Sequence, residues 1–232
     1  MSIHFLSFGN EMYKNSIKRI ANEIKSTNMV NYIHTYNEFD LMEMPEFWEK
    51  HKKFILSNKR GYGYWLWKSF LTLKTLNEMN EGDILIYADA GCEILINNRN
   101  QFNNSISLLN NDKSGFISFE MRTNIEKVWT KSDLFDYLNC FDLKDTPQLH
   151  ATYFVVKKCE NSMNIVEKWY EISSIYSLLD DTPSNVANDI SFIEHRHDQS
   201  ILSLLRKLYN TRIIKENDFH NFNFIRESRI RN

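Results

Sequence analysis

The chain has 232 residues, with 28 Lys and Arg against 30 Asp and Glu and a formal net charge of −2. A charge this balanced gives no basic field for a phosphate backbone, which argues against nucleic acid as a partner. Hydrophobic residues at 42% supply one sizeable core, and only 6 glycines and 3 prolines leave little material for linkers, so a single domain over residues 1–232 is expected.

In chain order, residues 3–8 form an apolar run that stops at Gly9 and Asn10, and Tyr13, Ile17, Ile20 and Ile24 follow on one helical face. Residues 29–36 read as a second strand, giving a β-α-β unit that feeds a parallel sheet. Phe47, Phe54 and Ile55 suggest a helix, then comes a segment rich in glycine and aromatics at 60–68. Phe70, Leu71, Leu73, Leu76 and Met79 predict a further helix, broken at Gly82 and Asp83. Residues 84–88 are apolar at every position, the pattern of a central strand covered on both faces. Strands at 116–119 and 152–156, a helix near 160–174 and a strong amphipathic helix at 200–209 complete the reading. The fold class is α/β, a mostly parallel central sheet flanked by helices.

Several chemistries drop out at once. A dinucleotide fingerprint starting at Gly61 and Gly63 would need glycine where Leu66 stands, and no Gly-Lys-Ser/Thr occurs for a phosphate loop. Cys92, Cys140 and Cys159 are odd in number and widely spaced, which suits a reducing compartment and forms neither a disulfide framework nor a thiolate zinc site. The opening residues lack the basic run of a secretory leader, and no apolar run nears the roughly 18 residues of a membrane span. A cytoplasmic protein without a transmembrane segment is expected.

Three segments hold the candidate chemistry. Asp89 ends the buried strand, where side chains of an open α/β sheet converge on a crevice. Strand alternation would put Asp89, Gly91 and Glu93 on one face, so Asp89 and Glu93 form a possible pair of ligands for a divalent cation. An aspartate at a strand end can also merely mark the boundary. In the second segment, Gly61 and Gly63 permit close backbone approach, Tyr64 and Trp65 offer ring faces, and Arg60 and Lys68 offer charge for phosphate. Its tryptophans would serve equally as core residues. In the third segment, residues 194–200, Asp198 would act as a base or hydroxyl acceptor, or would simply cap the last helix. His195 and His197 have the spacing of a metal pair, and Gln148, ahead of a strand, would face the same crevice.

Taken in order, RGYGYWLWK, GDILIYADAGCEI, QLHAT and FIEHRHDQSILSLL resemble small glycosyltransferases of the GT-A fold, such as those encoded by bacterial surface-polysaccharide clusters and large DNA viruses. The resemblance runs from about residue 3 to 209. It implies transfer of a sugar from a UDP- or GDP-linked donor to a hydroxyl of a glycan or lipid-linked acceptor. It also implies a nucleotide-sugar half at about 1–100 and an acceptor half at about 101–232. Gly9, Arg60, Tyr64, Trp65, Lys68 and Asp89 would then border the donor, Gln148, His197 and Gln199 would lie on the acceptor side, and Asp198 would be catalytic. Asp89 would match the first acid of the Asp-x-Asp motif that holds Mn2+ or Mg2+, with Glu93 as a second candidate, while Gly91 stands where the second acid usually is. Two rival readings share some of these residues: a nucleotidyltransferase and a non-catalytic sugar- or nucleotide-binding module. Arg226, Arg229 and Arg231, mixed with aromatics, would allow peripheral membrane contact.

Overall fold

The computed structural model describes residues 1–230, so Arg231 lies outside the described residues. Strand β1 (Ile3–Phe8) leads into helix α1 (Lys14–Ser26), which buries Ile20 and Ile24, and returns through β2 (Tyr32–Tyr36). β2 pairs parallel to β1, as the β-α-β reading requires. Helix α2 (Pro45–Ser57) and helix α3 (Leu66–Glu78) follow, and then β3 (Ile84–Ala88), parallel to β1 on its other side. Every residue of β3 is buried, because its alternate side chains enter two different cores. Leu85 and Tyr87 join the larger cluster, which includes Trp67, Phe154 and Trp169. Ile84, Ile86 and Ala88 join the other, with Ile20, Ile24 and Val155.

The second half contributes β4 (Glu93–Ile94), α4 (Arg99–Asn111), β5 (Phe116–Ile125), β6 (Pro147–Leu149), β7 (Tyr153–Lys157), α5 (Glu160–Ser173), α6 (Asp198–Leu208), β8 (Arg212–Ile214) and β9 (Ile225–Arg226). Among the described residues the main sheet has seven strands, in the order β2-β1-β3-β7-β5-β6, with β8 also on β5. It is parallel across β2-β1-β3 and between β5 and β8, but β7 runs antiparallel to both β3 and β5, and β6 runs antiparallel to β5. The parallel expectation therefore stops at β7. Between β5 and β6 the chain passes through two short helices, Glu126–Trp129 and Ser132–Leu138, and re-enters the sheet antiparallel to β5.

That reversal sets the position of the site. Because β7 runs against β3, Tyr153 sits opposite Ala88, and the residues entering β7 lie at the edge where β3 ends. The Asp89 N–H donates to Thr152 O at 2.9 Å across this junction. No helix among the described residues is long and apolar enough to cross a membrane.

Candidate active site

Tyr87 and Asp89 are two apart at the end of β3, so they share a face. The Tyr87 hydroxyl donates to Asp89 Oδ1 at 2.5 Å. Burial, and after it the Asp89 charge, pushes the Tyr87 phenol well above its ordinary range, so it stays a neutral donor. Lys68 approaches from α3: its Nζ lies 3.1 Å from Asp89 Oδ1 and 3.1 Å from Asp198 Oδ2, and it donates to Ala151 O at 3.2 Å. The side chains differ sharply in access. Lys68 is 3% exposed and Asp198 6%, whereas Asp89 is 31% exposed and is the member that solvent reaches.

An unusual piece of backbone aims Lys68. Gly61, Tyr62, Gly63, Tyr64 and Trp65 all have positive φ, five consecutive residues in or near the left-handed helical region. Each of the three non-glycine residues costs about 1–2 kcal/mol there. Tertiary contacts offset that cost. Trp67 Nε1 donates to Gly61 O at 2.9 Å, Trp67 stacks on Phe8 at 4.0 Å, and Tyr64 and Trp65 rest against the His197 ring at 4.7 and 5.5 Å. Both glycines are needed for the fold itself. A Cβ on Gly61 would lie within 3 Å of the Trp65 indole, and one on Gly63 would lie 2.8 Å from Ile55 Cγ1. α3 starts straight after this turn, which puts Lys68 in its first, buried turn.

Asp198 arrives on the first turn of α6. The cap position belongs to His197, with φ 53° and ψ −123°, and it makes no side-chain cap hydrogen bond. Helix capping therefore does not account for the Asp198 carboxylate. Burial raises its pKa to about 6; the nearby Asp89 adds to the rise and Lys68 opposes it. For Lys68, burial works against the charge, yet Asp198 and Asp89 together hold its pKa above the ordinary lysine value. Two turns further along α6, Arg206 is fully buried and donates to His150 O at 2.6 Å.

The histidines do not form a metal pair. His195 Nε2 donates to Leu178 O at 2.9 Å and its Nδ1 accepts from the Lys131 N–H at 3.3 Å. His197 Nδ1 donates to Leu179 O at 2.8 Å. Burial keeps both rings neutral, lowering the His197 pKa to about 4 and the His195 pKa well below the usual value. Gln148 is also inward-facing. It is fully buried, with its amide near Glu126, Thr130 and Ser200 and its carbonyl oxygen accepting from Gln199 Nε2 at 2.9 Å. Gln199 is half-buried, and its Oε1 accepts from the N–H of Ala151, the residue whose carbonyl takes Lys68.

Other predicted residues fall into place around this cluster or away from it. Gly9 is buried at the end of β1, on the same edge as Asp89, with its N–H donating to Tyr36 O at 3.0 Å. Arg60 is separated from Lys68: its guanidinium pairs with Asp181 at 3.2 Å and Glu194 at 3.0 Å near the surface. Glu93 does not join Asp89. It pairs with Arg226 at 2.6 Å and accepts from Ser228 Oγ at 3.1 Å, because β4 and β9 zip together there. Gly91 is explained by the same terminal segment, since a Cβ on it would lie 3.3 Å from Arg229 Cα and Ile230 N–H donates to Gly91 O at 3.0 Å. Arg226 is thus engaged with Glu93, with its side chain 61% exposed.

These placements bear directly on a divalent cation. Of the side chains a two-acid metal site would draw on, Glu93 is held by Arg226, position 91 has no side chain, and Asp198 faces a resident ammonium. Among the described residues no group of three or more His, Cys, Asp and Glu converges as metal ligands. The Asp89–Glu93 pair does not fit the ion the resemblance implies. Tyr87, Ala151, Thr152 and the 226–230 segment were missing from the sequence reading of the site. Tyr87 alone had a usable signal, a hydroxyl in an otherwise aliphatic strand on the same face as Asp89.

This mixed sheet, with its parallel β-α-β half and its carboxylates at the carboxyl edge of β3, is the GT-A-like glycosyltransferase fold. The chain is similar in structure to a glycosyltransferase involved in the glycosylation of the major capsid of PBCV-1, at 13% identity and a TM-score of 0.50, covering 94% of this chain and 84% of that one. Mouse xyloside xylosyltransferase 1 follows at 11% identity and a TM-score of 0.49, with 93% and 85% covered. An active-site mutant of LgtC gives 10% identity and a TM-score of 0.46, with 93% and 73% covered. No protein-family profile matches the sequence, and no curated protein matches it either.

Proposed function

We propose that the chain is a glycosyltransferase that moves a sugar from a UDP- or GDP-linked donor to a hydroxyl of a glycan or lipid-linked acceptor, in cytoplasmic polysaccharide biosynthesis. In this transfer the bond from the anomeric carbon to the nucleoside diphosphate breaks, a bond to the acceptor oxygen forms, and the hydroxyl proton leaves. The observation that carries the reading is the Lys68 ammonium lying 3.1 Å from both Asp89 and Asp198 at the carboxyl edge of β3. Strand ends of this kind are where open α/β sheets bind ligands.

The roles follow from access. Asp89, with Oδ1 tied to Tyr87 and Lys68, turns its exposed side to hydroxyls of the donor. Gln199, half-buried beside Ala151, is a neutral partner for sugar hydroxyls. Asp198, nearly buried, fixes the charge of the cluster and is the candidate base once the site opens to an acceptor. The test is a panel of UDP- and GDP-sugars, with water or oligosaccharides as acceptors, followed by release of nucleoside diphosphate. UDP or GDP release from at least one donor, lost in Asp89→Asn, is the expected result. Pyrophosphate release from a nucleoside triphosphate and a sugar phosphate would favour a nucleotidyltransferase instead, and no turnover of any donor would favour a binding module.

A further inference from the structure

An ammonium group has three N–H donors and no acceptor. Lys68 Nζ meets three oxygens: Asp89 Oδ1 at 3.1 Å, Asp198 Oδ2 at 3.1 Å and Ala151 O at 3.2 Å. With its side chain 3% exposed, the group is enclosed among these three protein oxygens, and its charge is balanced by two carboxylates. The geometry therefore assigns it a different partner set from the one its position in the sequence suggests. It lies between two carboxylates. Apart from Lys68, Asp198 Oδ2 has no hydrogen-bond partner despite its burial, so no other group competes for that oxygen.

The positions next in sequence supply no free second acid. Gly91 offers no side chain and has the Arg229 backbone against it. Glu93 is bound to Arg226 and Ser228. A divalent ion on Asp89 would have a fixed positive charge beside it that repels it. We propose that Lys68 is a built-in counter-ion that takes the place of the divalent cation, holding Asp89 and Asp198 together so that the donor binds without metal. This deepens the glycosyltransferase reading and rests on it.

The test begins with Mn2+ alone, followed by its electron paramagnetic resonance signal. Wild-type protein should leave the free Mn2+ signal unchanged, whereas Lys68→Met, which frees two carboxylates, should take the ion up. Stoichiometric Mn2+ uptake by the wild type that disappears in Asp89→Asn would overturn the inference, and this arm does not depend on the folding of a Lys68 variant. Calorimetry with UDP, GDP and their sugars then compares buffers containing EDTA and Mn2+. Affinities that agree support the inference, and binding strengthened by more than about tenfold in Mn2+ overturns it while leaving the donor reading intact. If none of these nucleotides binds in either buffer, the donor reading fails, and the Mn2+ titration still decides what Lys68 does.

Discussion

Arg60 and Lys68 stand at the two ends of one nine-residue segment and meet opposite fates. Arg60 is 42% exposed and shared between Asp181 and Glu194, while Lys68 is 3% exposed and locked between Asp89 and Asp198. The left-handed turn at 61–65 separates them, since it reverses the backbone before α3 begins. Two cations that look interchangeable in sequence therefore differ in energetic weight. Removing one member of a buried ion pair strands the others in low dielectric at about 3–5 kcal/mol, whereas an exposed pair contributes about 0–1 kcal/mol.

The largest expected effect is at Lys68. Lys68→Met should lower stability by about 3–5 kcal/mol, read from urea or thermal unfolding, because two carboxylates lose their counter-ion. It should also abolish sugar transfer. A Lys68→Met protein as stable and active as wild type would remove the distinction between the two cations. Asp89→Asn should be milder for folding, as Asp89 is partly solvated, yet should reduce turnover by about 10²-fold or more because it faces the donor.

Next in size is a pH effect on the buried side. Asp198 has its pKa raised by burial from an ordinary 3.8 to about 6. As pH falls through about 6 the carboxylate protonates and stops balancing Lys68, so activity should be present above that pH and lost below it. Stability should move the other way. Ionised Asp198 is disfavoured in the folded protein, so its contribution to stability improves as pH drops from about 6 towards 4. Unfolding of wild type and Asp198→Asn across this window isolates the contribution as a difference. A difference that does not change with pH would mean that Asp198 titrates normally.

The turn itself can be broken. Gly61→Ala puts a Cβ into the Trp65 indole at a positive-φ position, and should cost about 2 kcal/mol or more. Melting temperature is the measurement. The activity should fall with it, since Tyr64 and Trp65 would leave the His197 ring next to Asp198.

How much of this was legible depends on range. β3 was legible because five apolar residues bounded by Asp83 and Asp89 describe a covered strand locally, and α1 was legible through Ile20 and Ile24 on one face. The direction of β7 was not, because its apolar run Tyr153, Phe154, Val155 and Val156 is covered on both faces as a parallel strand would be. The pairing of Glu93 with Arg226 joins residues 133 apart, so a reading based on local spacing gave Glu93 to a metal instead. Gly61 and Gly63 announced a break in regular structure. Their neighbours Tyr62, Tyr64 and Trp65 share the left-handed conformation only because Phe8, Ile55 and His197 pack against the turn, and that information lies elsewhere in the chain.

The smallest predicted effect completes the contrast. Arg60→Ala removes two surface ion pairs, to Asp181 and Glu194, both with partners at least a third exposed. Such pairs are screened by salt and lose side-chain entropy on forming, so the change in stability should stay within about 1 kcal/mol and shrink as ionic strength rises. Turnover and nucleotide affinity should stay within about twofold of wild type, because Arg60 meets none of the three oxygens that hold Lys68. Were Arg60→Ala instead to weaken UDP or GDP binding by about tenfold, the surface cation would be the one that meets the diphosphate. The two arginine-bound carboxylates would then have to release it when the donor arrives, and the functional division would run between a structural Lys68 and a donor-binding Arg60.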